Sequence, residues 1–282
     1  MLVSFLPAVF ARLRRSRSAA AVAVLALLAV APRPAAAQTR VIDHAAFDSL
    51  LHRHVRDGMV DYDAMEAAPE FARYLTRLAS TDLAGVSERE RLAFWINTYN
   101  AYTIALIVNH HERESIRNIN RSLGFLHLKG PWRENLVHAA GRTLSLDNVE
   151  HDIIRRDFHE PSIHFALVCA AMGCPPLRSE AYTGARLDAQ LDEQARLFLL
   201  RSPAKNRVDV PARVFHASLI FDLYKDDFGG TNAAVGKFVA PYLPEGPERR
   251  LLESGSFDLA KTSYDWTLNS QEQAKRRAEA PR

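Results

Sequence analysis

The chain has 282 residues, 48% of them apolar, which permits a packed core and excludes a wholly disordered chain. Its formal charge of +3 comes from the N-terminus: five of the 36 Lys and Arg, and none of the 33 Asp and Glu, fall in residues 1–37. The remainder holds 31 basic against 33 acidic residues, net −2, so no basic surface for nucleic acid is expected.

Residues 1–37 read as a secretory signal peptide of bacterial type. Arg12, Arg14, Arg15 and Arg17 precede an uncharged run from Ala19 to Ala31, and Ala35-Ala36-Ala37 places small residues before Gln38. That run is shorter than the about 20 residues of a spanning helix. The expectation is a periplasmic or secreted protein with no stable membrane span after cleavage; a retained N-terminal anchor is the alternative. Export places the two cysteines in an oxidising compartment, with no third thiol to compete.

Asp43 opens a predicted helix through about Asp57, with Phe47, Leu50, Leu51 and Val55 on one stripe. Val60-Asp61-Tyr62 follows as an extended link, then Pro69 to Ala79 as a second helix. Ser87-Glu88-Arg89-Glu90 is a capping box. It starts the strongest helix, about Glu88 to Asn109, which is apolar nearly all round and therefore buried. Asn97 and Asn100 lie inside it. A buried amide left unpaired costs about 1–3 kcal/mol. Each therefore either bonds a neighbouring loop and fixes the packing, or orients a catalytic group or developing anion.

From His110 to Lys129 the pattern weakens to loop. Trp132 to Ala139 and Arg142 to Leu146 flank Ala140-Gly141 as a β-hairpin. Asp147-Asn148-Val149-Glu150 opens a helix through about Phe158 that carries His151. Ser162 to Cys169 reads as a strand that opens into an ordered loop around Cys174, shaped by Gly173, Pro175 and Pro176. On such a strand His164 and Cys169 face opposite sides.

Arg186 to Leu200 is an amphipathic helix, and Arg207 to Val210 and Val214 to Ala217 are short strands. Ser218 to Phe228 is helical up to Gly229-Gly230, and Thr231 caps a helix reaching Tyr242. Arg249 to Glu253 forms a turn or two. Ser256 to Lys261 and Tyr264-Asp265-Trp266 are extended. From Ser270 the chain is polar and reads as a frayed tail. The expected fold class is α+β: a single domain over 38–269 with a buried central helix and a small, mainly antiparallel sheet, followed by a disordered tail, 270–282.

Several segments together resemble the domain of unknown function 547 family. They are Phe94 to Ala101, Leu144 to His151, His164 to Leu177, Leu187 to Leu191 and Tyr264 to Asn269. The resemblance implies one α+β domain and marks Asn97, Asn100, Glu150, His151, His164, Cys169 and Cys174 as family-type positions. It supplies no mechanism.

The residues leave several chemistries open. A thiol-dependent hydrolase or transferase would use Cys169 as nucleophile, His151 as base and Glu150 or Asn97 as orienter. A non-catalytic envelope binding or structural protein would instead hold a Cys169–Cys174 disulfide across the turn. His151, His164, Cys169 and Cys174 have the ligand types of a zinc site, but their spacing matches no standard pattern, and no metal is assigned. No Gly-rich phosphate loop, G-x-S-x-G or H-E-x-x-H is present, so no cofactor is assigned. The expected partner is a small molecule, peptide or envelope component. His110-His111 reads as the solvated end of the buried helix, where positive charge suits the dipole, and Asp226-Asp227 as a helix-end acidic pair with no visible partner.

Overall fold

Helix α4, Glu88–Asn109, is the core element, with every residue from Leu92 to Ile107 buried. The computed structural model describes residues 40–120, 130–202 and 204–280. The expected signal peptide lies outside them, as do residues 121–129 of the expected loop. Ser87 caps α4, its hydroxyl accepting from the Glu90 amide at 3.2 Å. The Glu90 carboxylate does not turn back on Ser87 as a closed capping box would. It accepts from the amides of Ile42 (2.8 Å) and Gly184 (2.7 Å), tying two distant segments to the start of α4.

Before α4 come α1 (Ala45–His54), a hairpin of β1 (Val55–Arg56) and β2 (Met59–Val60), α2 (Tyr62–Ala67) and α3 (Pro69–Ser80). The first helix stops short of the expected Asp57 because Asp57 and Gly58 take positive φ, 50° and 80°, as a two-residue hairpin turn requires. Asp61, expected in an extended link, caps α2 by accepting from the Ala64 amide. The expected second hairpin is present as β3 (Val137–Ala139) and β4 (Arg142–Leu144), turning at Ala140 and Gly141 with φ of 49° and 71°. The amides of that turn donate to Leu78 and Ala79 and satisfy carbonyls at the end of α3.

Asn148–Ile154 forms a wide turn of π-helix that runs into α5, Arg155–Asp157. Asp147 does not cap it. Ser145 and Asn148 bond each other reciprocally instead.

The expected strand from Ser162 to Cys169 is not formed. Pro161–Phe165 is a 3₁₀ turn, and the chain from Ala166 to Cys169 is irregular. Proline with its preset φ suits the first position of a helical turn. The backbone groups that a neighbouring strand would have paired are taken by a side chain: Asn100 donates to the Ala166 carbonyl and accepts from the Val168 amide.

Helix α6 (Leu187–Leu200) precedes a three-stranded sheet of β5 (Arg207–Asp209), β6 (Val214–Ala217) and β7 (Asp258–Lys261), in the order β5-β6-β7. β5 pairs antiparallel and β7 parallel to β6. Between β6 and β7 lie α7 (Ile220–Leu223), a 3₁₀ turn over Lys225–Phe228, α8 (Asn232–Val239, capped by Thr231) and α9 (Pro247–Ser254). Among the described residues the strands form three small sheets, antiparallel in three of their four pairings. The class is α+β. Phe165, Phe198, Phe215, Phe221 and Phe228 centre a second apolar cluster beside the one built on α4.

The expected frayed tail is a helix, α10, Gln271–Glu279. Ser270 caps it, and Gln273 is buried, bonding the Arg113 carbonyl and the Glu114 carboxylate. Its polar composition hid this, because its docking contacts are hydrogen bonds rather than an apolar stripe. No helix among the described residues is long and apolar enough to cross a membrane.

Candidate ligand cavity at the cysteine loop

The sulfurs of Cys169 and Cys174 lie 1.99 Å apart, at disulfide distance. The loop between them is held from both sides. Ala170 sits in the left-handed region (φ 57°), uncommon for a residue with a Cβ. Met172 and Gly173 donate their amides to the carbonyls of Thr267 and Asp265, and the Asn269 amide donates to Ala170. The C-terminal segment Tyr264–Asn269 is thus laid along the cysteine loop. The Tyr264 hydroxyl reaches both sulfurs, 3.0 Å from Cys169 and 3.1 Å from Cys174.

Behind this loop lies a cavity of about 230 Å³. Glu150 and His151 line it from the wide turn, Tyr99 from α4, Trp132 from a 3₁₀ turn over Pro131–Arg133, Tyr264 and Trp266 from the C-terminal loop, and the two cysteines from the loop itself. π-helical turns are rare and recur at functional sites. This one carries the Glu150 carboxyl, 7% exposed, against the phenols of Tyr99 and Tyr224. Burial first, and then the Glu150 charge, pushes both phenols above their ordinary range, so they stay protonated. The same two causes raise Tyr264.

Asp227 organises the far side. Both its oxygens accept from Arg155, at 2.6 and 2.8 Å, and His164 Nε2 stands 2.6 Å from Oδ2. The Arg155 bonds hold the Asp227 carboxyl below its usual value. Burial lowers His164, although Asp227 opposes it, so the ring is neutral near pH 7 and Nε2–H donates to the carboxylate. His164 stacks on Tyr224 with centroids 3.9 Å apart. Asp227, read from sequence as half of a helix-end acidic pair with no visible partner, is therefore the tie between three elements. His110 likewise has a partner: its Nε2 lies 2.8 Å from Glu134 Oε2.

Of the residues singled out from sequence, Glu150, His151, His164, Cys169 and Cys174 all line the one cavity. Asn97 and Asn100 do not. Asn97 donates to the Tyr182 carbonyl and accepts from the Tyr182 amide, at 2.8 and 2.9 Å. Asn100 does the same for Ala166 and Val168. Both amides are committed to backbone, which is the packing role. His151 Nδ1 accepts from Arg155 Nη1 at 3.0 Å, so that lone pair is engaged. Among the described residues no group of three or more His, Cys, Asp or Glu is arranged to hold a metal ion. Sequence reasoning missed Tyr224 and Asp227 as site residues, and it took Tyr99, Tyr264 and Trp266 for core or extended chain. The weak available signal was the density of aromatic residues in segments that no apolar stripe explained.

Residues 83–199 match the model of the family described as protein of unknown function, DUF547. Over that stretch the chain is similar to the DUF547 family, as its sequence segments lead one to expect. The matched stretch contains α4, the Glu150–His151 turn, the cysteine loop and all of α6 but its last residue. It stops short of Tyr264–Asn269, which joins the site by hydrogen bonding to the loop. No curated protein and no solved structure matches the chain.

Proposed function

We propose that this is an exported, non-catalytic envelope protein whose Cys169–Cys174 disulfide stiffens the wall of a ligand cavity. The observation that carries the reading is the bonding distance between the two sulfurs at that wall. A bonded pair has no thiolate to act as nucleophile. Export is supported by the arrangement of residues 1–37, four Arg ahead of an uncharged run from Ala19 to Ala31, with the small residues Ala35-Ala36-Ala37 after it. It would also supply the oxidising compartment in which such a pair persists. The ligand is a small molecule or the end of a peptide or envelope component that fits between Glu150 and the aromatic walls.

The test is the intact mass of the protein expressed with its N-terminus in a bacterial host and alkylated without reductant. The expected product lacks residues 1–37, takes no alkyl group and is 2 Da lighter than the dithiol. Retention of the N-terminal segment in a cytoplasmic fraction would overturn export. A fragment screen by ligand-observed NMR, repeated with the cavity narrowed by Leu219→Trp, tests binding. Hits unaffected by that variant would count against this cavity.

A second reading, a thiol-dependent hydrolase or transferase with Cys169 and His151, has one observation in its favour: both residues line the same cavity. It requires two free thiols, one alkylated far faster than the other near neutral pH. It also requires His151 to release Nδ1 from Arg155 or to act through its other nitrogen.

A further inference from the structure

The cavity wall carries a carboxyl group with no counter-ion among the described residues. Glu150 is more than nine-tenths buried and lines the cavity, yet forms no ion pair among the described residues. Arg155 is close enough to feel its charge, but the guanidinium is committed to both oxygens of Asp227 and to His151. Phenols, not cations, face Glu150 from Tyr99 and Tyr224. A buried carboxyl group that no cation pairs directly is costly to keep charged, and a cation arriving beside it lowers that cost.

The remaining walls suit a cation as well. Trp132 and Trp266 meet edge to face at 6.2 Å, and Tyr264 packs on Trp266 at 4.6 Å. Aromatic faces attract cations, tryptophan most strongly, and cages of such rings recognise alkylated ammonium groups. Two rings that line the cavity already hold a cation: the Arg155 guanidinium lies 5.1 Å from the Tyr224 centroid, and that of Arg117 lies 5.2 Å from the Trp266 centroid. Among the described lining residues there are two carboxyl groups, Asp147 and Glu150, and no Lys or Arg. Asp147 is taken by Arg133 at 3.0 Å, which leaves Glu150 as the available charge. At about 230 Å³ the space is below the roughly 300–1,000 Å³ of drug-sized sites, so it suits one compact group.

We propose that the cavity receives the ammonium end of a small organic molecule, with Glu150 as counter-ion and Trp132, Trp266 and Tyr264 as the cage. The inference rests on the ligand-binding reading and deepens it. Calorimetric titration of the oxidised protein with choline, and with its neutral isostere 3,3-dimethylbutan-1-ol, tests it at constant ionic strength. The expected result is saturable choline binding, at least tenfold weaker binding of the isostere, and at least tenfold loss of choline affinity in Glu150→Gln. Trp132→Leu, at a part-buried ring, should weaken choline binding as well and serves if Glu150→Gln does not fold. Equal affinity for choline and the isostere overturns the ammonium inference while leaving a ligand cavity in place. Absence of choline binding by the folded protein overturns it too, and the fragment screen then decides separately whether the cavity binds anything. Undiminished choline binding by folded Glu150→Gln, or by Trp132→Leu, is equally fatal to it.

Discussion

The hydroxyl of Tyr264 stands 3.0 Å from the sulfur of Cys169, and its ring occupies the space that a side chain at position 173 would need. A Cβ built on Gly173 would lie 2.8 Å from two carbons of that ring. The glycine is therefore explained by close approach, since its φ is not in the left-handed region. The contact joins the cysteine loop to the segment that supplies Tyr264 and Trp266 to the cavity.

Gly173→Ala should displace the Tyr264 ring and loosen that junction. Overpacking of this kind costs about 1–3 kcal/mol. Urea unfolding of the oxidised variant should show the loss as a lower midpoint. Trp266 packs on the same ring, so its fluorescence should change in the native state. An unchanged midpoint would mean that the loop accommodates the methyl group by moving, and that the packing argument is wrong.

Replacing both cysteines by serine removes the cross-link. Chain entropy for a six-residue ring predicts about 2 kcal/mol of lost stability, less than for longer loops. Reductant should bring the wild type down to the level of Cys169→Ser/Cys174→Ser and leave the variant unaffected. If reductant leaves wild-type stability where it was, the pair does not contribute a bond in solution.

Much of the fold was legible because it rests on local signals. The Ser87 cap, the Ala140-Gly141 turn and the Thr231 cap each name their element through one or two residues whose chemistry admits few alternatives. The failures lie where a distant side chain decided the outcome. Ser162 to Cys169 has the composition of a strand, but its pairing partner is the Asn100 amide, 66 to 68 residues away. Helix α10 has no apolar stripe, and Gln273 docks it through hydrogen bonds to Arg113 and Glu114. In the site, Glu150, His151 and the cysteines were identifiable as chemistry-bearing types. Asp227 was not, because its partners Arg155 and His164 come from segments 72 and 63 residues earlier.

Asn100→Ala would leave the Ala166 carbonyl and the Val168 amide without partners in the core. One or two such groups at about 1–3 kcal/mol each predict a loss of about 3 kcal/mol. Asn97→Ala should cost a similar amount through Tyr182. Chemical denaturation measures both. A loss below about 0.5 kcal/mol at either position, the ordinary range for surface substitutions, would show that its amide is not the fastening described.

His44 makes stability depend on pH in a defined window. Its ring is buried beside Tyr74 and Phe94, and Nδ1 lies 2.7 Å from the Tyr74 hydroxyl. Burial lowers its pKa from 6.5 to about 4, opposed by the nearby Asp43 carboxylate and assisted by Arg77. A histidine depressed in the native state binds its proton first in the unfolded chain. Stability is therefore complete above pH 6.5 and falls as the pH drops toward 4. Between pH 7 and pH 5 the loss should be about 2 kcal/mol, from 1.36 kcal/mol per unit over the part of the window crossed. His164 is shifted in the same direction and adds to the slope. Urea unfolding at pH 7, 6 and 5 should show this decline in the wild type and a clearly shallower one in His44→Gln. Identical slopes in the two proteins would remove His44 as its source.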